Sequence, residues 1–304
     1  MQIKCPWCEV DLKSDRVYKI YLLNVQNKPL FVKSGYFRRS SDRVKVQRFQ
    51  CKVCERFFSG ASFSLAYGQK KRHKNEPLRR LLASGVSMRR ASLLLNIHRQ
   101  TVTRKLKFLG TMAKARHLKF LSRSKDLFRH IQFDEMETFE HSKCKPISIP
   151  LMVDSEKRKI LWVDVGSMPA KGLLSEISRK KYGYRKDERP EIINNLMTEM
   201  KKVLHPNVDF LTDKNPRYTK IISQIFPTND HKTVKGVRGC KVGGGELKKI
   251  GYDPLFSLNH TCAMIRSNVN RLFRRTWCTT KKAENLRSHI WIYLDHHNRI
   301  LTPA

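Results

Sequence analysis

The sequence is poor in acidic residues. Only 26 Asp and Glu stand against 62 Lys and Arg among 304 residues, so the formal net charge is +36. A chain this basic is expected to bind a polyanion. Because its basic residues run through the whole sequence, they favour an extended nucleic-acid surface over a single basic anchor. A ribosomal-type protein, or merely a soluble basic one, is the alternative.

Long apolar runs are also missing. No run approaches the roughly 20 residues of a membrane span, and the first residues, Met1 to Cys5, lack the apolar stretch of a signal peptide. Yet 40% of the residues are apolar and 9% aromatic, which excludes wholesale disorder. We therefore expect a folded, cytoplasmic, nucleoid-associated protein that does not bind membranes. The length allows more than one domain.

Eight cysteines in such a chain indicate metal binding or thiols rather than disulfides. Four of them form two CxxC pairs, Cys5 with Cys8 and Cys51 with Cys54. Two such pairs can complete a tetrahedral Zn²⁺ site that is closed to solvent. Strand-like alternation lies between the pairs, so residues 1–60 are predicted to form a zinc ribbon with a structural role. Redox-active CxxC motifs are the competing interpretation.

After a basic linker at 61–76, residues 77–110 have the spacing of a helix-turn-helix. A helix beginning at Pro77 is broken at Gly85, Ser87 is a natural N-cap, and Asn96 supplies a turn. A plain helical bundle is the alternative. The third helix would present its polar side chains to a DNA groove while Val102 and Leu106 pack inward; the polar residues are Arg99, Gln100, Thr103 and Arg104.

A basic helical connector is predicted at 111–129, and from residue 130 the pattern becomes α/β. Three strand-like runs are followed by a helix, a strand and another helix, an order typical of a mixed sheet. The predicted elements lie at 131–139, 147–153, 160–165, 190–204, 208–212 and 216–225. Further on, 257–298 is strongly helical. Trp162 and Trp291 are expected in the core, and His296 and His297 at the surface.

Two acidic residues stand at the ends of strands in this region, Asp134 and Asp213. A lone Asp at such a place ordinarily caps a turn. Carboxylates facing a polyanion would repel it, however, unless they hold divalent cations. Two acids converging from separate strands are what two-metal-ion phosphodiester cleavage requires, with ions roughly 3.5–4 Å apart. Of the neighbouring acids, Glu135 is expected closer to the metals than Glu137.

The segment 133–139 resembles the first catalytic strand of DDE-type transposases of bacterial insertion sequences, especially the insertion-sequence-one-like group and its relatives. Residues 211–213 resemble their second acidic strand. Residues 259–266 and 271–276 resemble their final helix, in which an acid precedes a basic residue by seven positions and an Arg-Leu…Arg-Thr signature follows. Zinc knuckles and a helix-turn-helix precede the catalytic domain in such proteins. The resemblance spans essentially the whole chain.

The resemblance implies an RNase H-like mixed-sheet catalytic domain at 130–304 that uses Mg²⁺ or Mn²⁺. Asp134 would bridge two ions and Asp213 would hold one. Asn259 takes the place of the usual Glu, with Arg266 as the basic partner. Because a neutral amide oxygen binds Mg²⁺ more weakly than a carboxylate, other acids are possible substitutes. They are Glu246, Glu284 and Asp295.

It also implies a reaction on double-stranded DNA. Water frees a 3′-hydroxyl at the terminal inverted repeat, and that hydroxyl then attacks target DNA, with a homodimer or larger assembly on the paired ends. Four arginines would face the DNA backbone: Arg266, Arg271, Arg274 and Arg275. The rivals are a non-catalytic DNA-binding protein, either a regulator or a decayed transposase, and a zinc-containing RNA-binding or ribosome-associated protein.

Overall fold

The computed structural model describes residues 5, 7, 31–40, 43–235, 253–273 and 278–302. Two compact units divide the chain, Met1–Asn75 and Glu76–Ala304. Some predicted features lie outside the described residues, namely Cys8, Glu246, Arg274, Arg275 and, between the two CxxC pairs, the strand-like alternation at 17–22. None of the described helices has the length and apolar composition that a membrane span requires.

The first unit contains a three-stranded antiparallel sheet. Its strands are β1 (Phe31–Arg38), β2 (Lys45–Cys51) and β3 (Phe57–Ser59), in the order β1-β2-β3. Phe58 is buried and stacks on Phe49 of β2, with ring centroids 5.6 Å apart. The middle strand β2 ends at Cys51, which places one predicted zinc ligand at the end of this strand. In the predicted linker the structure has short 3₁₀ turns at Gly60–Phe63 and Arg72–Lys74.

The second unit begins with three helices, α1 (Asn75–Ala83), α2 (Met88–Leu94) and α3 (Arg99–Arg123). The predicted cap and turns are confirmed. The Ser87 hydroxyl accepts from the backbone N–H of Arg90, and Gly85 and Asn96 have φ values of 74° and 49°. Left-handed backbone of this kind favours Gly and Asn, which explains why the helices end there.

Helix α3 is one continuous element of 25 residues, about 37 Å long. It includes the predicted third helix and most of the predicted connector. Val102 and Leu106 are fully buried with α1, as predicted, whereas Ala113 and Leu121 further along belong to the core around the larger sheet. A single helix therefore joins two apolar clusters.

Close packing between α3 and α8 (Ala283–His296) joins these clusters further. A Cβ atom on Gly110 of α3 would lie 2.7 Å from Ser288 Cα of α8, so the helix backbones can approach only because residue 110 is glycine. Ile292 of α8 is buried in the same cluster as the first three helices. The first three helices therefore pack against α8, which also packs into the core around the larger sheet.

The larger sheet has six strands and is mixed, as predicted. Its strands are β4 (His130–Phe139), β5 (Pro146–Asp154), β6 (Ile160–Val163), β7 (Gly166–Ser167), β8 (Asp209–Asp213) and β9 (His231–Val234). The order is β6-β5-β4-β8-β9, with β7 also paired to β5; β4 is antiparallel to β5, and β8 is parallel to both β4 and β9. Strand β5 is buried along nearly its whole length.

Helices cover both faces of this sheet. Gln132 and Phe133 are adjacent on β4, so their side chains point to opposite faces. The rings of Phe133 and Tyr218 of α6 are 4.9 Å apart, whereas the Gln132 amide bonds to the backbone of Pro254 and Leu258 at the start of α7. The remaining helices are α4 (Leu174–Tyr182), α5 (Arg189–Lys201), α6 (Pro216–Ile225) and α7 (Phe256–Asn268).

The prediction of a surface position for His297 is wrong. This residue is 3% exposed, and its Nε2 lies 2.9 Å from the carbonyl oxygen of Arg158, because α8 continues as a π-helical turn (His297–Leu301) that packs on the sheet. Trp162 and Trp291 are buried as predicted, in an edge-to-face arrangement with centroids 5.6 Å apart.

Candidate active site

Asp134 and Asp213 are brought together by the pairing of β4 with β8. The two strands are parallel, and Phe133 lies opposite Thr212. The next residue on each strand is an aspartate, and both aspartates are half-buried. Because consecutive residues of paired parallel strands run side by side, these two carboxylates are neighbours. Asp213 is the last residue of β8, whereas Asp134 lies in the middle of β4 and not at a strand end as predicted.

The electrostatics of Asp134 reflect that crowding. Burial, together with the charges of Asp213 and Glu135, raises the pKa of this carboxyl from its ordinary value of 3.8 to about 6. The backbone N–H of Glu135, 2.7 Å from Oδ1, and the hydroxyl of Tyr218 act in the opposite direction. Several carboxylates held together in a half-buried place have a strong affinity for a compensating cation.

Tyr218 is a member of the site that sequence reasoning missed. Its hydroxyl lies 3.2 Å from Oδ1 of Asp134 and 2.9 Å from Oε2 of Glu135. The side chain is 1% exposed, so burial and the neighbouring carboxylates raise its pKa and keep the hydroxyl protonated as a donor. The available signal was the Asn215-Pro216 helix start directly after β8, which places Tyr218 in the first turn of α6.

Glu135 is held in the site by partners on two further elements. Its Oε1 accepts a 2.5 Å hydrogen bond from Ser148 on β5, and its Oε2 lies 3.7 Å from Nη1 of Arg217. The other Arg217 nitrogen is 3.9 Å from Asp187, which forms a two-pronged ion pair with Arg189. Acids and arginines therefore alternate from β4 to the segment before α5.

Helix α7 passes Asp134 on the opposite face. Cys262 is 7% exposed, and its pKa is raised to about 12 by burial, with Arg266 lowering it and Asp134 adding to the rise. Asn259 lies one turn earlier at an exposed position, and its amide donates to Oδ2 of Asp253 at 2.9 Å. Asn259, Cys262 and Arg266 follow each other along one side of the helix.

Two of the alternative third ligands lie elsewhere. Glu284 forms a surface ion pair with Lys107 at 2.9 Å. Asp295 is 3% exposed and accepts two hydrogen bonds from Arg116, at 3.1 and 2.7 Å. Both acids thus pair with α3 and away from the carboxylates on β4 and β8. The third alternative, Glu246, is outside the described residues.

The predicted groove-facing residues stand at the start of α3. Arg99, Gln100 and Arg104 are exposed, while the Thr103 hydroxyl bonds back to the carbonyl of Arg99. The surroundings of Arg271 differ from those expected of an arginine that faces the DNA backbone. Burial lowers its pKa, and its guanidinium contacts side chains of the unit itself, with Nη1 lying 3.3 Å from the Thr280 hydroxyl and Nη2 lying 2.7 Å from the Met88 sulfur.

Three of the four predicted zinc ligands cluster in the first unit. The Sγ atoms of Cys5, Cys51 and Cys54 all lie within 4.8 Å of one another, and those of Cys5 and Cys54 are 3.7 Å apart. Tetrahedral Zn²⁺ with bonds of about 2.3 Å would separate its sulfurs by about 3.8 Å. The backbone N–H of Val53 also points at Cys51 Sγ, at 3.4 Å. This donor set fits a possible zinc site.

Comparison with known proteins adds little to this geometry. No family model and no curated protein matches the chain. Among solved structures, it is similar to the crystal structure of the Mos1 mariner paired end complex with Mn, at 12% sequence identity and a TM-score of 0.25, over 75% of this chain and 76% of that chain. Inferences about function therefore rest on the residues of the site.

Proposed function

We propose that this protein is a DNA transposase of a bacterial insertion sequence, which binds the ends of its element and performs metal-dependent strand cleavage and transfer. The observation that carries the proposal is the register that sets Asp134 beside Asp213. Acids gathered where β8 ends would repel the polyanionic partner expected of a chain of net charge +36. They are useful if cations link them to phosphate.

The architecture supports an RNase H-like catalytic domain. Three antiparallel strands are followed by two that run parallel to the first, and helices lie on both faces. Asp134 comes from the central strand β4, and Asp213 from its parallel neighbour β8. Two side chains on adjacent strands of a packed sheet are held more exactly than residues on loops.

The donor set of this edge suits Mg²⁺ or Mn²⁺. Hard cations prefer carboxylate and amide oxygens, and the raised pKa of Asp134 shows that its negative charge lacks full compensation. Asp134 and Asp213 would hold the ions, with Glu135 as an adjacent carboxylate and Asn259 as the proposed third position on α7. Bound ions would activate the attacking oxygen and steady the leaving one.

The residues around the carboxylates position them. The single hydroxyl proton of Tyr218 is shared between the carboxylates of Asp134 and Glu135, which holds these two groups close together. Because its surroundings raise the pKa of Asp134 to about 6, a cation would have to compete with a proton for this carboxylate near and below that pH. Arg266, which acts electrostatically on Cys262 beside the site, would contact the DNA backbone.

Substrate delivery would depend on α3. Its first turns carry Arg99, Gln100 and Arg104 at the surface, and its later turns are packed into the core around the sheet. A continuous helix transmits position without a hinge. We therefore expect the recognised terminal sequence and the cut bond to be held at a set spacing, in a homodimer or larger assembly on cytoplasmic DNA. The cysteine cluster would add stability to the first unit and no chemistry.

Nicking of element DNA tests the proposal. The protein is incubated with Mg²⁺ or Mn²⁺ and DNA carrying the terminal repeats that flank its own gene, beside Asp134→Ala. Asp209→Ala is the matched control, because it removes an exposed aspartate from the opposite end of β8. We expect wild type and the control to nick and Asp134→Ala to bind without nicking. Equal inertness of all three, with DNA binding intact, would refute the enzymatic function.

The amide at position 259 favours one second candidate, a catalytically inactive DNA-binding protein. Asn259 is exposed and bonds to Asp253, where a catalytic acid is usual in the resembling family. This candidate predicts that the protein binds the terminal repeats equally tightly with and without Mg²⁺. It also predicts no strand cleavage in either condition.

A further inference from the structure

The segment between β7 and α5, residues 168–188, exposes apolar side chains. We call it the α4 insert. Leu173 is 94% exposed, Tyr184 85% and Ile177 53%. Leu173 and Ile177 are four positions apart and so lie on one side of α4. A single exposed leucine is ordinary, but three large apolar side chains in one short segment indicate a contact surface.

The same segment is basic. Between Lys171 and Lys186 there are six Lys and Arg and a single acid, Glu176. Three of the six are used in ion pairs with glutamates of the sheet and of α5. The other three make no ion pair with any described carboxylate and end α4 together: Arg179, Lys180 and Lys181. Exposed apolar side chains next to basic side chains that have no ion-pair partner among the described residues fit an anionic partner that carries flat apolar groups.

The α4 insert is tied to β4 at one end and linked to Glu135 at the other. At one end Lys171 is 2.6 Å from Glu137 on β4. At the other, Asp187 is linked through Arg217 to Glu135. Leu173 is two residues from the first anchor and Tyr184 three residues from the second. Chain of that length spans at most about 10 Å, so Leu173 stands close to the anchor on β4 and Tyr184 close to the anchor that leads to Glu135.

The support beneath these side chains is rigid. Ser178 is buried and its hydroxyl donates to the carbonyl of Cys144 at 2.7 Å. Arg185 donates to the backbone carbonyls of Met168 and Pro146, both at 3.1 Å. Anchors at the middle and the end of the insert hold its apolar tips in place before any partner binds, which lowers the entropic cost of contact.

We propose that the α4 insert contacts unpaired DNA bases beside the cut phosphate, with Leu173 and Tyr184 against the bases and the three cations at the end of α4 against the backbone. Apolar wedges separate base steps, and aromatic side chains stack on bases that have left the duplex. A second copy of this chain fits less well, because two such basic surfaces repel each other. The inference rests on the proposed action on DNA.

The test uses duplex DNA of the element's own end, with 2-aminopurine in place of adenine next to the cut site. Wild type should increase the fluorescence, which reports unstacking. Leu173→Ala combined with Tyr184→Ala should abolish the increase and weaken binding to a duplex with unpaired terminal bases about tenfold. Ile300→Ala, which removes another exposed aliphatic side chain, should do neither, and Tyr184→Phe should keep the ring stacking.

Neutralising Arg179, Lys180 and Lys181 together should make the slope of log binding constant against log salt concentration shallower by about two to three. Wild-type fluorescence and binding in the double variant would overturn the proposal while leaving the nicking result intact. Loss of self-association in sedimentation, with the fluorescence change retained, would identify a contact between copies and overturn it too. Since all the replaced apolar side chains are exposed, thermal unfolding should be unchanged and serves as the folding control.

Discussion

Replacing Asp134 by Asn should stabilise the metal-free protein at neutral pH. A carboxyl whose pKa is raised from 3.8 to about 6 in the folded state costs that state up to about 3 kcal/mol once the pH is above both values. The cost is small below about pH 4, where the group is protonated in both states, grows between about pH 4 and pH 6, and is complete above pH 6. An amide of the same shape avoids it and still accepts from Tyr218.

The assay is thermal unfolding in Mg²⁺-free buffer at pH 5 and pH 8. For a unit of this size, about 3 kcal/mol corresponds to a gain of about 6–12 °C in Tm, which should be present in full at pH 8 and about half as large at pH 5. Added Mg²⁺ should stabilise wild type and not Asp134→Asn, since the cation compensates the charge that the variant lacks. Asp209→Asn is the control. Equal Tm values at pH 8, or equal stabilisation by Mg²⁺, would refute the reasoning.

Three further outcomes are expected. Tyr218→Phe removes a donor from two carboxylates, so the acid limb of the nicking profile should move to higher pH and activity at pH 6 should fall about tenfold; an unchanged profile would contradict the positioning role. Cys54→Ser should lower the bound zinc measured by mass spectrometry, whereas Cys144→Ser, a buried thiol of the second unit, should not. Gly110→Ala drives a methyl into Ser288 and should lower the free energy of unfolding, measured by urea denaturation, by about 1–3 kcal/mol; a neutral effect would mean that α3 and α8 separate easily.

Central elements could be predicted from the sequence because they carry their own pattern. Strands β4 and β5 are apolar enough to be recognised alone, and α6 has an Asn-Pro start that ends the preceding strand. Strand β9 was missed. Its His-Lys-Thr-Val sequence is polar, and it is a strand only because β8 offers a free edge. Such an edge strand owes its structure to its neighbour and leaves no periodic signal.

The candidate site divides in the same way. Asp134 and Asp213 could be predicted because an acid directly after a short apolar run is visible in a sequence, and parallel pairing then brings them together. The predicted strand-end position is right for Asp213 and wrong for Asp134, which lies in the middle of β4 because that strand continues to Phe139. The contacts of Tyr218 and Arg217 could not, since they depend on how α6 packs against β4 and on a segment that lies beyond β7. Those contacts exist only in the tertiary structure, and no local pattern encodes them.

The most direct test of the central claim is whether residue 213 touches the catalytic cation. In Asp213→Cys a soft thiolate replaces a hard carboxylate, and thiolates accept Mn²⁺ better than Mg²⁺. Nicking of terminal-repeat DNA is measured in each metal. We predict that the variant is inert in Mg²⁺ and regains cleavage in Mn²⁺, while wild type cuts in both. Wild-type cleavage by the variant in Mg²⁺ would contradict the account.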